Sequence, residues 1–169
     1  IVGAGPVGLF AVFELGLLNI KCHLVDNLDK VGGQCAELYP EKPIYDIPSR
    51  SIVTGQELTD ELLKQINPFQ PNFHLNQQVD KIAKSQYGWI VETSVGTTIE
   101  AKSIVIAAGA GSFVPRKPPI ENIDKFENTN VFYAIRNKSM FQNKKLLIAG
   151  GGDSALDWTN ELSKTSSVT

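Results

Sequence analysis

Thiols, imidazoles and thioethers are scarce in this 169-residue chain, which has two Cys, two His and one Met. Cys22 and Cys35 are too few for a disulfide framework or a cysteine-built zinc site. Such sparing use fits a reducing, cytoplasmic setting. His23 and His74 lie in expected strands with no convincing partner set for a metal or a catalytic pair, so neither role is expected. No apolar run approaches the roughly 20 residues that a membrane-spanning helix needs, which argues against a membrane partner. Positive charge is not in excess: 16 Lys and Arg stand against 18 Asp and Glu, a net charge of -2. Without a basic stripe, nucleic acid is not expected as a partner.

Glycine, by contrast, is concentrated where it carries information. Gly3-Ala4-Gly5-Pro6-Val7-Gly8 follows Ile1-Val2, and Gly150-Gly151-Gly152-Asp153-Ser154-Ala155 follows the apolar run Leu146-Leu147-Ile148-Ala149. Each reads as strand, tight turn, helix start. The first glycine permits the turn, and the second lets backbone N–H groups approach a pyrophosphate. The third position, Gly8 or Ala155, lets the helix pack close to the strand. The helix N-terminus then presents its partial positive charge to the phosphates. After the first motif come a helix-like stretch from Val7 to Leu17 and a second strand, Lys21 to Val25. That strand ends in Asp26, about 20 residues past the glycines, where a carboxylate accepts from ribose hydroxyls. Two such motifs in one chain predict two dinucleotides brought together, a flavin and a nicotinamide.

The rest of the pattern fits an α/β chain. Residues 27–55 read as an irregular, Gly- and Pro-rich connection. Thr54-Gly55-Gln56-Glu57 opens an amphipathic helix carrying Leu58, Leu62, Leu63 and Ile66, with Pro68 beyond it. Phe73-His74-Leu75 is a short strand. Val79 to Lys84, Trp89 to Thr93 and Thr97 to Ala101 predict a three-stranded antiparallel meander. Ser103 to Ala108 is almost wholly apolar, as a buried parallel strand is, and it ends in Gly109-Ala110-Gly111. A meander in place of a helical crossover tips the first site toward FAD. The expected architecture is a Rossmann-type FAD-binding lobe, with parallel sheet plus meander, over residues 1–115. A linker over 116–144 and the first βα unit of a second Rossmann-type, NADP-binding lobe over 145–169 complete it. The first lobe is expected to lack a C-terminal return segment. The last helix runs into Lys164-Thr165-Ser166-Ser167 with no further strand expected.

Particular stretches carry a family resemblance. They are Gly3 to Phe10, Gly32-Gly33-Gln34, Leu38-Tyr39-Pro40-Glu41-Lys42 with Ile44-Tyr45-Asp46, Ala107-Ala108-Gly109 with Phe113 and Pro115-Arg116-Lys117, and Gly150 to Ala155 with Asp157-Trp158. On these residues the chain resembles the N-terminal half of ferredoxin–NADP reductases of the thioredoxin-reductase-like type. The resemblance implies FAD on the first lobe and NADPH on the second. Gly3, Gly5, Pro6, Gly8, Gly33 and Gly109 would belong to the flavin site, with Asp26 on the adenosine ribose. Gln34 and Tyr39 would line the flavin, Tyr39 stacking on the isoalloxazine, and Phe113 would pack near it. Val79 would meet the adenine through its backbone. Gly150, Gly152 and Asp153 would begin the NADPH pyrophosphate site.

The implied activity passes a hydride from NADPH to FAD, then single electrons to ferredoxin or a flavodoxin-like carrier, in a homodimer of the full-length protein. No catalytic side chain is needed, because the flavin carries the chemistry. The alternatives are a thioredoxin-reductase-type disulfide reductase and a non-catalytic, truncated FAD-binding fragment. Against the first, Tyr133-Ala134-Ile135-Arg136 stands where such enzymes carry Cys-x-x-Cys, and Pro40 stands where a partner for Cys35 would be. A lone Cys forms no intramolecular redox disulfide. The chain by itself is expected to be inactive.

Overall fold

A computed structural model describes residues 1–111 and 117–169. The chain divides into two units, residues 1–134 and 135–169.

The first unit begins at the glycine turn. Val2 enters the sheet and α1 (Pro6–Leu17) follows at once. The short strand β1 (His23–Val25) comes next, then the helix α2 (Gly33–Leu38) inside the stretch expected to be irregular. The strands β2 (Pro43–Ile44) and β3 (Val53–Thr54) pair antiparallel and lead into α3 (Gly55–Ile66). Strand β4 (Asn72–His74) pairs parallel with β1. Val2 bridges in parallel to Val25 on one side and to Ile106 on the other. The parallel order is therefore β4, β1, Val2, Ile106, with the first segment of the chain inside and later ones added on both flanks. That order marks a doubly wound nucleotide-binding sheet, whose ligands sit beyond the carboxyl ends of the strands at the switch point. The predicted meander forms as β5 (Val79–Ser85), β6 (Gly88–Thr93) and β7 (Thr98–Ala101), with β6 in the middle.

The core explains these placements. Ala4, Leu9, Val12, Cys22, Leu24 and Ile66 are buried together, with Phe13, Leu15, Leu62, Leu63 and Phe69 packed around them. The helical spacing of Leu62, Leu63 and Ile66 thus seats α3 on α1 and β1. A second cluster of Val25, Val91 and Ile99 joins the meander to the parallel sheet. Cys22 is core, as expected, although it stands just before β1 rather than within it, and both cysteines are free thiols. One expectation fails. The run Ser103–Ala108 is not a buried strand: only Ile106 bridges, and it is 74% exposed. It lies at the outer flank of the sheet, where no described strand pairs beyond it. Residues 117–134, placed in a linker by the sequence, belong to the first unit. Lys117 Nζ lies 2.6 Å from Asp124 and 2.8 Å from Glu127, and the Tyr133 hydroxyl donates to Glu127 at 3.2 Å.

The second unit holds β8 (Lys145–Leu146), α4 (Asp153–Leu162) and β9 (Ser167–Val168). The sequence reading stopped at the helix. The structure adds β9, which pairs in parallel with β8, so the unit is strand, helix, strand. Ile148 N donates to Thr169 O and Thr169 N to Leu146 O, both at 2.9 Å. Ser167 and Val168 escape notice in the sequence because two residues carry no period.

Among the described residues no helix is long and apolar enough to cross a membrane.

Candidate dinucleotide site

The first glycine turn is shaped by two close approaches. Gly3 has φ +103°, which L side chains rarely adopt, and a Cβ there would strike Ala107 O. A Cβ on Gly8 would strike Gly3 O, so the first turn of α1 packs directly on the loop that precedes it. Together they bring the N-terminus of α1 up to the strand ends. Its N-cap is Gly5, with no side-chain cap, so the helix end is free of a competing side-chain acceptor. An anion meets such an end favourably.

A cleft of about 620 Å³ opens there. Of the residues singled out from sequence, Gly3, Gly5, Pro6, Asp26, Gly33, Gln34, Val79 and Gly109 all line it. Gly8 does not line it; it supports the turn from behind. The Asp26 carboxylate accepts from Ala4 N at 2.6 Å and from Leu28 N at 3.0 Å. It therefore ties the glycine turn to the end of β1. A carboxylate accepts about four hydrogen bonds, so acceptor capacity remains for a ligand hydroxyl.

Tyr39 lies in a neighbouring hollow of about 420 Å³, which it shares with Lys42, Pro43, Ile44, Tyr45 and Asp46. Gln34 and Cys35 line both spaces. The Lys42 ammonium sits 5.2 Å from the Tyr39 ring centroid, so a flat ligand stacking on that face would displace it. Burial pushes the Cys35 thiol above its ordinary range. Phe113 lies outside the described residues.

Gly150, Gly152 and Asp153 lie in the second unit. Gly152 caps the N-terminus of α4 without a side-chain bond, and Asp153 is the first residue of the helix. A Cβ on Gly150 would meet the Ala155 Cβ at 3.2 Å, so strand end and helix are closely packed here too.

Several lining groups escape sequence reasoning, among them Glu37, Gln77 and Ile106. Glu37 is buried, with Lys30 Nζ at 3.6 Å, in a helix too short to show a period. Gln77 reaches the cleft because its N–H donates to Asp26 O at 3.0 Å, a contact made by the pairing of β1 with β4. Ile106 enters from the sheet flank. No group of three or more His, Cys, Asp or Glu side chains among the described residues is placed to hold a metal.

Fold and cleft together define a Rossmann-type dinucleotide-binding protein. The chain belongs to the pyridine nucleotide-disulphide oxidoreductase family, whose pattern matches residues 35–169, while residues 1–66 match the NAD(P)-binding Rossmann-like domain. It is 61% identical over 163 residues to a ferredoxin–NADP reductase of Nitrobacter hamburgensis, covering 96% of this chain and 48% of that protein. It is also 61% identical to ferredoxin–NADP reductase 2 of Cupriavidus metallidurans, covering 44% of it. The chain thus spans about half the length of these relatives. Among solved structures, thioredoxin reductase of Lactococcus lactis aligns with a TM-score of 0.74 at 23% identity, over 99% of this chain and 53% of the other. That of T. acidophilum aligns with a TM-score of 0.75 at 20% identity, again over 99% and 53%. At such identities the likeness speaks to the fold alone.

Proposed function

We propose that this chain is the FAD-binding lobe, with the opening of the NADPH-binding lobe, of a ferredoxin–NADP reductase. The observation that carries the reading is the single cleft in which an uncapped helix N-terminus, a glycine turn and a strand-end aspartate converge. Those residues fit FAD. The N-terminus of α1 would hold the pyrophosphate. Asp26 would keep its two backbone bonds and accept from the adenosine ribose. Val79 would border the adenine, Gln34 would hydrogen-bond the flavin edge, and Tyr39 would stack on the ring system once Lys42 swings aside. Gly109 would border the cleft. Gly150, Gly152 and Asp153 would receive the NADPH pyrophosphate at the start of α4. The flavin, when bound, supplies the conversion of a two-electron donor into single electrons for a ferredoxin or flavodoxin-like carrier. The chain's own residues bind and orient; none is required as acid, base or nucleophile. The relatives named ferredoxin–NADP reductase support this reading, as does the absence of a thiol at Tyr133 and Arg136.

Titration of the chain with FAD and FMN tests the cofactor. FAD should bind and FMN should not, and Asp26→Ala should weaken FAD by roughly 1–3 kcal/mol, the range for a charge-assisted bond. Equal binding of FMN would overturn the reading. In a protein of the relatives' full length, NADPH oxidation should couple to ferredoxin and not to thioredoxin. Reduction of thioredoxin with both Cys22 and Cys35 replaced would show that the acceptor is misassigned.

A further inference from the structure

We propose that Gln77 reads the base of the bound dinucleotide, its side-chain amide N–H₂ donating to a ring nitrogen of adenine. This rests on the proposed FAD site and assigns one more residue to it. Gln77 stands between β4 and β5, and its backbone N–H holds it beside Asp26, at 3.0 Å from Asp26 O. Gln77 lines the cleft with Asp26 and Val79, where the adenosine half would lie.

The direction of the amide follows from its neighbour. Thr93 is 6% exposed, and its hydroxyl accepts from Thr97 N at 3.1 Å. A hydroxyl has one proton, and buried polar groups find partners. The acceptor placed to take that proton is Gln77 Oε1, 3.0 Å from Thr93 Oγ1. The amide oxygen is therefore turned to Thr93. The Nε2 end carries two N–H donors on a half-buried, cleft-lining residue and meets no protein acceptor among the described residues. No hydrogen bond joins them to the Asp26 carboxylate, whose oxygens receive Ala4 N and Leu28 N. A donor left facing a cleft is satisfied by water until a ligand covers it, and then needs an acceptor from the ligand. Adenine offers N1, N3 and N7. Thr93 is the positioning residue, because its hydroxyl fixes which end of the amide faces the base.

Calorimetric titration of the chain with FAD, ADP and inorganic pyrophosphate tests this. Gln77→Glu keeps the shape and the acceptor for Thr93 but removes the donors. Gln77→Leu removes both. Each should weaken FAD and ADP roughly five- to tenfold, as expected for one lost hydrogen bond, and leave pyrophosphate, which has no base, unchanged. Thr93→Val should weaken ADP in the same sense and Thr93→Ser should restore it. The thermal midpoint of the ligand-free Gln77→Glu variant should match the parent's, since it keeps an acceptor for Thr93, whereas Gln77→Leu should lower it by leaving that hydroxyl unpaired. If the parent binds FAD and ADP while both Gln77 variants bind them within twofold of it, the assignment to Gln77 is wrong and the cofactor reading stands. An equal loss for pyrophosphate also overturns the assignment. If the parent binds neither FAD nor ADP, the cofactor reading falls and Gln77 with it.

Discussion

His23 and His74 face each other across β1 and β4. Their rings stack 5.2 Å apart, and His23 Nδ1 lies 2.9 Å from His74 Nε2. One N–H serves both, so a doubly protonated pair loses the bond and gains repulsion. Partial burial, then the facing His74 and the amino terminus, holds His23 below its ordinary 6.5. The folded chain therefore binds fewer protons than the unfolded chain just below that pH. Stability from this pair is present above the unfolded value and is lost as pH falls through the lower folded one. The urea midpoint should drop between about pH 7.5 and about pH 5.5, and His23→Asn should flatten that slope. A slope unchanged in the variant would show that the pair is inert. This contact is invisible in the sequence, where the two residues are far apart and each looks like an isolated strand position. It depends on the register that sets Val25 opposite His74. Asp26 is the contrasting case: its place after the glycine motif is visible in sequence, but its bonds to Ala4 and Leu28 are not.

Among the elements, α3 is the one whose start is written most plainly. Thr54 Oγ1 accepts from Glu57 N at 3.2 Å, and Glu57 Oε2 accepts from Thr54 N at 2.8 Å, a reciprocal capping box. The Thr54-Gly55-Gln56-Glu57 signature and the Leu and Ile spacing announce it because both are local. Thr54→Ala should cost about 1 kcal/mol, and Thr54→Ser should recover most of that. Paired urea titrations check both. Elements defined by partners rather than by period are harder to read. Helix α2 spans six residues behind two glycines, and β9 spans two, so neither repeats long enough to register. The segment Ser103–Ala108 has the composition of a buried strand, yet composition says nothing of whether a neighbour lies on its far side. Helix α1 poses a related question. It is apolar nearly all round, and Val7 and Leu17 on it and Leu18 at its C-cap are exposed at 59–71%.

Across the molecule, the Rossmann-type character of the first unit was legible because glycine turn, helix, strand and acid follow one another in the chain, while the order of its parallel segments was not. The division at residues 134 and 135 was not, since Lys117, Asp124, Glu127 and Tyr133 organise residues 117–134 among themselves through side chains that mean little singly. One further property belongs to the chain as a whole. Its two thiols have unequal access, with Cys22 sealed in the core and Cys35 on the wall between the two hollows. The protein therefore carries its own chemical gauge of occupancy. Iodoacetamide at mildly alkaline pH should alkylate Cys35 alone in the native chain, and slowly, because its thiol is held protonated by burial. Saturating FAD should slow that modification further, by about tenfold or more if the flavin covers the wall, while Cys22 should react only after denaturation. Mass spectrometry of timed digests would then report filling of the cleft without any enzymatic turnover, and would do so from a single sulfur atom.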